Sequence, residues 1–343
     1  MHLSKSLSLS CFFSALLIGC GGSSGGSSSS NGTSNVSIGF SDYPVQDAEQ
    51  VVITVDSISF MQDGELTVVD SFTSTDLDIE DADTFEIDLL SVRDNDFKLV
   101  LDSVTLPVGE YTDLRIEILD ENTELSYVKE LGSADGEVKE LKVPSDELKL
   151  GSFTVDELST QTFIIEFDLS QAMTYNPGPE RYILKPRGVR IVGLESAATL
   201  SGNVDLAAVH LESVCSEKAD QTLGNAVYLY PARAETDVLA DAYDPDAEEN
   251  AEVVIDENAL APYAVAPVAE NGDYFISFIQ PGAYTLAFSC LAEGDDPTLY
   301  QVGEGSDIVI PAPATEIVDL VFVDDEAAYC GFPLTDGACA TAP

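Results

Sequence analysis

Residues 159–170 read STQTFIIEFDLS. In an extended chain successive side chains point to opposite faces. Phe163, Ile165, Phe167 and Leu169 therefore share one face, and Ile164, Glu166 and Asp168 share the other. Period two in β-branched and aromatic residues predicts a half-buried antiparallel strand. TDLRIEILD (112–120) repeats the pattern, with Leu114, Ile116 and Ile118 opposing Arg115 and Glu117. QVVITVDSISF (50–60) begins with Val51, Ile53 and Val55 on one face and shifts phase to Ile58 and Phe60. Such a shift predicts a bulge, or a strand covered on both sides. Turn residues punctuate these runs at Asp63-Gly64, Pro107-Val108-Gly109, Asp135-Gly136, Asn176-Pro177-Gly178, Asn271-Gly272 and Pro281-Gly282. Apart from a short helical turn expected near Ser145 to Leu150, no segment carries helical periodicity. Many short strands at this spacing predict an all-β fold of sandwich type.

The chain begins differently. Lys5 precedes an apolar run from Leu7 to Ile18, the layout of an export signal. The run is too short for a bilayer core, which needs about 20 apolar residues. Leu17-Ile18-Gly19-Cys20 resembles the bacterial lipobox. That resemblance implies cleavage before Cys20 and acyl chains on its thiol, and stable anchoring takes more than one chain. Gly21 follows where Asp favours inner-membrane retention in enteric lipoproteins, so the resemblance implies the outer membrane, with the face undetermined. GGSSGGSSSSNGTSN (21–35) holds no apolar residue and cannot offset its ordering entropy; as a Gly/Ser coil it spans about 20 Å. The expected organisation is a signal at 1–19, a lipidated Cys20 and tether at 20–35, β-sandwiches at 36–196 and 197–324, and a Cys-containing tail at 325–343.

With 62 acidic against 14 basic residues the formal charge is −48. Nucleic acid is excluded as a partner, because phosphate binding needs Lys and Arg to displace counterions. Anionic lipid repels such a chain as well, which leaves anchoring to the lipid. The acidity fits a solvated surface adapted to salt, calcium binding, or a cationic partner. The calcium candidates are Asp76, Asp78, Asp81 and Asp83 in TDLDIEDAD, and Asp241, Asp244 and Asp246 in DAYDPDAEEN. Alternating carboxylates can supply calcium's oxygen ligands, yet neither stretch has EF-hand spacing. No other cofactor is expected. Beyond Cys11 and Cys20 there are four cysteines, Cys215, Cys290, Cys330 and Cys339. An even number in an exported chain points to disulfides. Of three pairings the preferred one is Cys215–Cys290 with Cys330–Cys339, the second closing a short loop.

A boundary is expected at Ser196-Ala197-Ala198, beyond which Lys218 and Arg233 are the remaining basic residues. Before it stand FSDYPVQDAEQVVITVDSISF (40–60), FEIDLLSV (85–92), LPVGEYTDLRIEI (106–118), ELKVPSDELKLGSFTV (140–155), IIEFDLSQAM (164–173) and YILKPRGVRIV (182–192). In this order they resemble a bacterial lipoprotein domain catalogued as domain of unknown function 4382, a family without a settled activity. After the boundary, ATLSGNV (198–204), NGDYFISFIQPGAYTLAFSC (271–290) and EIVDLVFV (316–323) resemble carboxypeptidase regulatory-like modules. These are transthyretin-like sandwiches of the carbohydrate-binding-like fold and carry no peptidase residues. The resemblance implies a hairpin turning at Pro281-Gly282, with Tyr284, Leu286, Phe288 and Cys290 facing inward.

Catalytic signatures are missing. GxSxG, HExxH and phosphate-binding glycine loops do not occur, and His210, the one histidine outside the leader, sits at a strand-like position. With this many acids some carboxylate pair is inevitable, so no one pair points to glycoside hydrolysis. A non-catalytic chain is expected. Arg181, Lys185, Arg187 and Arg190 form a local reversal of charge. It fits internal pairing with carboxylates such as Glu166 and Asp168, or contact with an anion or sugar acid. Tyr43, Tyr175, Tyr182, Tyr228, Tyr230, Tyr243 and Tyr263 lie in or near turns, as sugar platforms do, although core packing accounts for most of them. The expected function is a surface binding or adhesion module, with carbohydrate as candidate ligand. The alternative is a structural accessory subunit of an envelope complex. The expected partners are the bilayer, through acylated Cys20, and a glycan or envelope protein.

Overall fold

The structure is a computed structural model that describes residues 32–43, 45, 48–93, 95–158, 160–211, 215–218, 220–242, 257–292, 317–334 and 339–341. The leader, the Cys20 motif, most of the tether, Tyr243, Asp244 and Asp246 lie outside these residues. Residues 1–31 and 32–343 are separate units, and every described strand and helix belongs to the second.

Alternation places strands where expected, and long-range pairing assembles them into four main sheets. The first has the order Val189–Gly193, Thr160–Asp168, Thr33–Tyr43, Lys98–Pro107. The second is built around Ala48–Gln62, which pairs with Asp113–Leu119, Tyr127–Glu130, Glu65–Val69 and Phe85–Asp88. Between the two sheets lies one apolar core, with Phe40, Phe163, Ile165 and Phe167 from the first and Ile53, Ile58, Phe60, Leu114 and Ile116 from the second. The phase shift in 50–60 is a bulge between Val55 and Ser57 in the pairing with Asp113–Leu119. Asp63-Gly64 closes the tight turn to Glu65–Val69, both residues having positive φ. The expected helical turn near Ser145 is a 3-10 turn at Pro144–Asp146, followed by the strand Glu147–Leu150. That strand pairs with Asp113–Leu119 and buries Leu148 and Leu150, so packing outweighs local helical preference.

No sheet among the described residues contains strands from both sides of Ser196. The third sheet runs Asp273–Ile279, Ala198–Val204, Ala327–Phe332, Cys339–Thr341, and the fourth Ala264–Pro267, Ala226–Pro231, Gly282–Ser289, Ile317–Phe322. A second core, including Leu200, Ile276, Leu286 and Phe288, lies in this half and takes in Tyr43 from the first sheet. Pro281-Gly282 does not close a hairpin. Asp273–Ile279 pairs with Ala198–Val204, whereas Gly282–Ser289 pairs with Ala226–Pro231 and Ile317–Phe322. The turn therefore carries the chain from one sheet to the other, and the expected inward set Tyr284, Leu286, Phe288 and Cys290 is buried. Cys215 is bonded to Cys290 and Cys330 to Cys339. Residues 327–341, separated as a tail in the sequence, include two sheet strands. Not every pairing is antiparallel: Thr33–Tyr43 runs parallel to Thr160–Asp168, and Ala198–Val204 to Ala327–Phe332. Among the described residues no helix is long and apolar enough to cross a membrane.

Candidate functional site

The polar face of STQTFIIEFDLS does not meet water. Ile164 packs with Val192 and Phe278, and Glu166 and Asp168 are fully buried. Opposite Glu166 in the antiparallel register stands Arg190, which puts its side chain on the same face. Its Nη2 lies 4.0 Å from Glu166 Oε1 and its Nη1 3.8 Å from Asp168 Oδ2. The same Nη1 donates to the Tyr263 carbonyl at 2.9 Å, and the guanidinium lies 4.7 Å from the centre of the Tyr263 ring. Asp168 is the best satisfied of the acids. Its Oδ2 accepts from Val265 N at 2.9 Å and from Gln171 Nε2 at 2.7 Å, and its Oδ1 from Ser170 Oγ at 2.6 Å. Ser277 Oγ donates to Glu166 Oε1 at 3.3 Å, and Gln280 Nε2 to the Ile191 carbonyl at 2.8 Å. These bonds join the strands on either side of Ser196 in one buried polar seam.

Electrostatics at the seam follow from burial. Loss of water pushes the Glu166 carboxyl up to about 7; the guanidinium of Arg190 and the hydroxyls of Ser41 and Ser277 oppose that rise, and Asp168 adds to it. Asp42, at the end of the neighbouring strand, is fully buried, and neither of its carboxyl oxygens has a hydrogen-bond partner among the described residues. Burial, then Glu166 and Asp168, hold it well above the usual carboxylate range, against the pull of Arg93. A buried acid without donors is cheaper neutral than charged.

Beside the seam opens a cleft of about 250 Å³, lined among others by Gln171, Arg187, Arg190, Asp241, Pro262 and Tyr263. Arg187 Nε donates to the Gln171 carbonyl at 3.2 Å, which ties this wall to the short helix Leu169–Ala172 that also carries Ser170. Gly188 makes the wall possible. Its φ is +79°, and an added Cβ would come within 2.7 Å of Gln171 Cβ and 2.9 Å of both Ala172 N and the Asp168 carbonyl. Gly188→Ala is therefore expected to cost about 1–3 kcal/mol, read by urea unfolding; an unchanged midpoint would show that the wall can shift without strain.

Of the predicted basic cluster, Arg187 and Arg190 reach the cleft. Arg181 pairs with Glu140 at 3.4 Å, and Lys185 donates its backbone N–H to the Ala172 carbonyl. Among the tyrosines, Tyr43, Tyr182, Tyr228 and Tyr230 are buried, whereas Tyr175 and Tyr263 are partly exposed. Of the calcium candidates, Asp76 accepts from Leu99 N at 2.8 Å, and Asp76, Asp78, Asp81 and Asp83 are exposed. Asp241 is buried at the cleft. No group of three or more His, Cys, Asp or Glu side chains among the described residues is disposed to hold a metal ion. His210 is buried, with Nε2 3.3 Å from Asn225 Oδ1. Gln171, Asp241 and Pro262 were missed as a set because they lie far apart in sequence.

Residues 33–186 match the family described as "Domain of unknown function (DUF4382)". The match takes in Asp42, Glu166 and Asp168 and stops short of Arg190 and Tyr263. No curated protein matches the sequence. Among solved structures, the Bacillus anthracis TIE protein is 10% identical, with 88% of this chain and 33% of that chain covered and a TM-score of 0.19. This chain thus spans about a third of that protein's length. The minor pilin of Streptococcus agalactiae is 11% identical, with 90% and 96% covered and a TM-score of 0.17. A Bacteroides fragilis protein whose description names cell adhesion is 7% identical, with 90% and 96% covered and a TM-score of 0.20.

Proposed function

We propose that this protein is a non-catalytic surface binding module, held at the outer membrane by acyl chains on Cys20, whose cleft at the seam receives carbohydrate. The cleft carries the reading. It is lined by Arg187, Asp241, Gln171 and Tyr263, which bring a guanidinium, a carboxyl, an amide held by Asp168 and a tyrosine to its walls. Planar polar groups beside an apolar ring suit a sugar, which presents hydroxyls along its edge and C–H bonds on its face. The opposing charges of Arg187, Arg190 and Asp241 leave the cleft far less negative than the chain as a whole, so sugars bearing a carboxylate are admitted as well.

A glycan array probed with the detergent-solubilised full chain tests this. Selective retention is expected, and Arg187→Glu is expected to weaken retention of acidic glycans by roughly tenfold or more while neutral glycans stay bound, a split that loss of the bond to Gln171 alone would not give. A blank array, or retention indifferent to Arg187→Glu, would overturn the reading. One observation favours the accessory-subunit alternative. Leu211, 82% exposed, and the exposed Leu223 and Leu291 lie in segments adjoining Cys215 or Cys290, and Ala292 N–H donates to the Gly224 carbonyl between two of those segments; exposed apolar residues suit a protein partner. Envelope proteins co-purifying with the parent chain and lost on Leu211→Glu would support it.

A further inference from the structure

Glu166 is fully buried where the two halves meet, and its Oε2 has no hydrogen-bond partner among the described residues. The groups around it come from every neighbouring element. Asp168 lies on its own strand, Ser41 and Asp42 on the parallel strand, and Arg190 on the antiparallel one. Ser277 faces it from across the seam, Tyr263 and Tyr284 face Arg190, and Arg93 and Asp88 face Asp42. One guanidinium therefore serves two carboxyls while also holding the Tyr263 carbonyl. Tyr263 is one of the residues that line the cleft.

We propose that loss of the proton from Glu166 loosens the seam and opens the cleft, so that the cleft holds its ligand less tightly as pH rises. The ligand clause rests on the binding reading given above; the loosening does not. Protonated, Glu166 leaves Arg190 to Asp168 and Tyr263. Ionised, it draws toward itself the guanidinium whose Nη2 and Nε lack hydrogen-bond partners among the described residues, and the hydrogen bond from Arg190 Nη1 to Tyr263 is the contact that yields. The direction follows from the burial of an unpartnered Oε2 beside the carboxyls of Asp42 and Asp168, which disfavours the charged form and pushes Glu166 up to about 7. An acid whose folded pKa is raised contributes most to stability below its ordinary pKa and loses that contribution as pH climbs to the folded value.

Hydrogen exchange of the full chain, corrected for the intrinsic pH dependence of exchange, reads the seam without any ligand. Protection of segments 261–267 and 273–280 is expected to fall roughly tenfold between about pH 5.5 and about pH 8.5, while segment 113–119 stays unchanged. Glu166→Gln is expected to flatten the response. Ser277→Ala removes a donor to the ionised form and is expected to move the midpoint to higher pH, which keeps the test open if Glu166→Gln does not fold. Flat protection in the parent chain, or an equal fall in Glu166→Gln, would overturn the proposal. A blank glycan array leaves this result standing, and a flat exchange profile leaves binding at the cleft standing.

Discussion

Arg190→Ala is expected to destabilise the protein by about 3–5 kcal/mol at about pH 8, the cost of leaving buried carboxylates without their cation. The side chain of Arg190 is 9% exposed and those of Glu166 and Asp168 are 0% exposed, so solvent does little to screen the loss. Asp168 keeps its three hydrogen bonds in the variant. Glu166 keeps the Ser277 hydroxyl and bears most of the penalty. The deficit should shrink at about pH 5, where Glu166 can take up a proton. Adding Glu166→Gln to Arg190→Ala should recover a large part of it at about pH 8. Urea unfolding of the four proteins forms a double-mutant cycle. A single-variant loss below about 1 kcal/mol at about pH 8 would place these groups in the surface class of ion pairs and contradict their burial.

The second large effect concerns the Cys215–Cys290 bridge, which closes a loop with a sequence separation of 75. Cross-linking removes freedom from the unfolded chain in proportion to the logarithm of loop length. Cys215→Ala with Cys290→Ala is therefore expected to lower stability by about 4–5 kcal/mol. Both cysteines are buried in the second core, so alanine leaves a small void and no stranded polar group. Opening Cys330–Cys339, with a separation of 9, should cost about 2–3 kcal/mol. Chemical unfolding of the two paired variants in parallel checks both magnitude and order. A larger loss from the shorter loop would show that strain or core packing, rather than chain entropy, sets the worth of these bridges.

Sequence alternation identified the inward faces of several strands. Phe163, Ile165 and Phe167, and Leu114, Ile116 and Ile118, all enter the first core. The phase change between Val55 and Ile58 marked a real bulge. Turn residues marked where the chain bends, as at Asp63-Gly64, but not which sheet receives it afterwards, as Pro281-Gly282 shows. The candidate site was legible in fragments. Arg187, Arg190 and Tyr263 stood out by charge and ring, and internal pairing of Arg190 with Glu166 and Asp168 was one of two readings open. Nothing in the sequence joined them to Asp241, or gave Asp42 a buried place.

The amino-acid sequence by itself determined an all-β chain, the inward residues of its strands, its turn positions and an even cysteine set. Each of these depends on neighbours a few positions away, or on simple counting. The tertiary structure decided that the acidic face of residues 159–170 is covered rather than wet, that one arginine is shared between two carboxyls, and that a cleft opens beside them. The seam rests on contacts such as Asp168 to Val265 and Glu166 to Ser277, separated by 97 and 111 residues. Removing a charge from water is a property of whatever packs over it, and that partner lies beyond the reach of any local pattern.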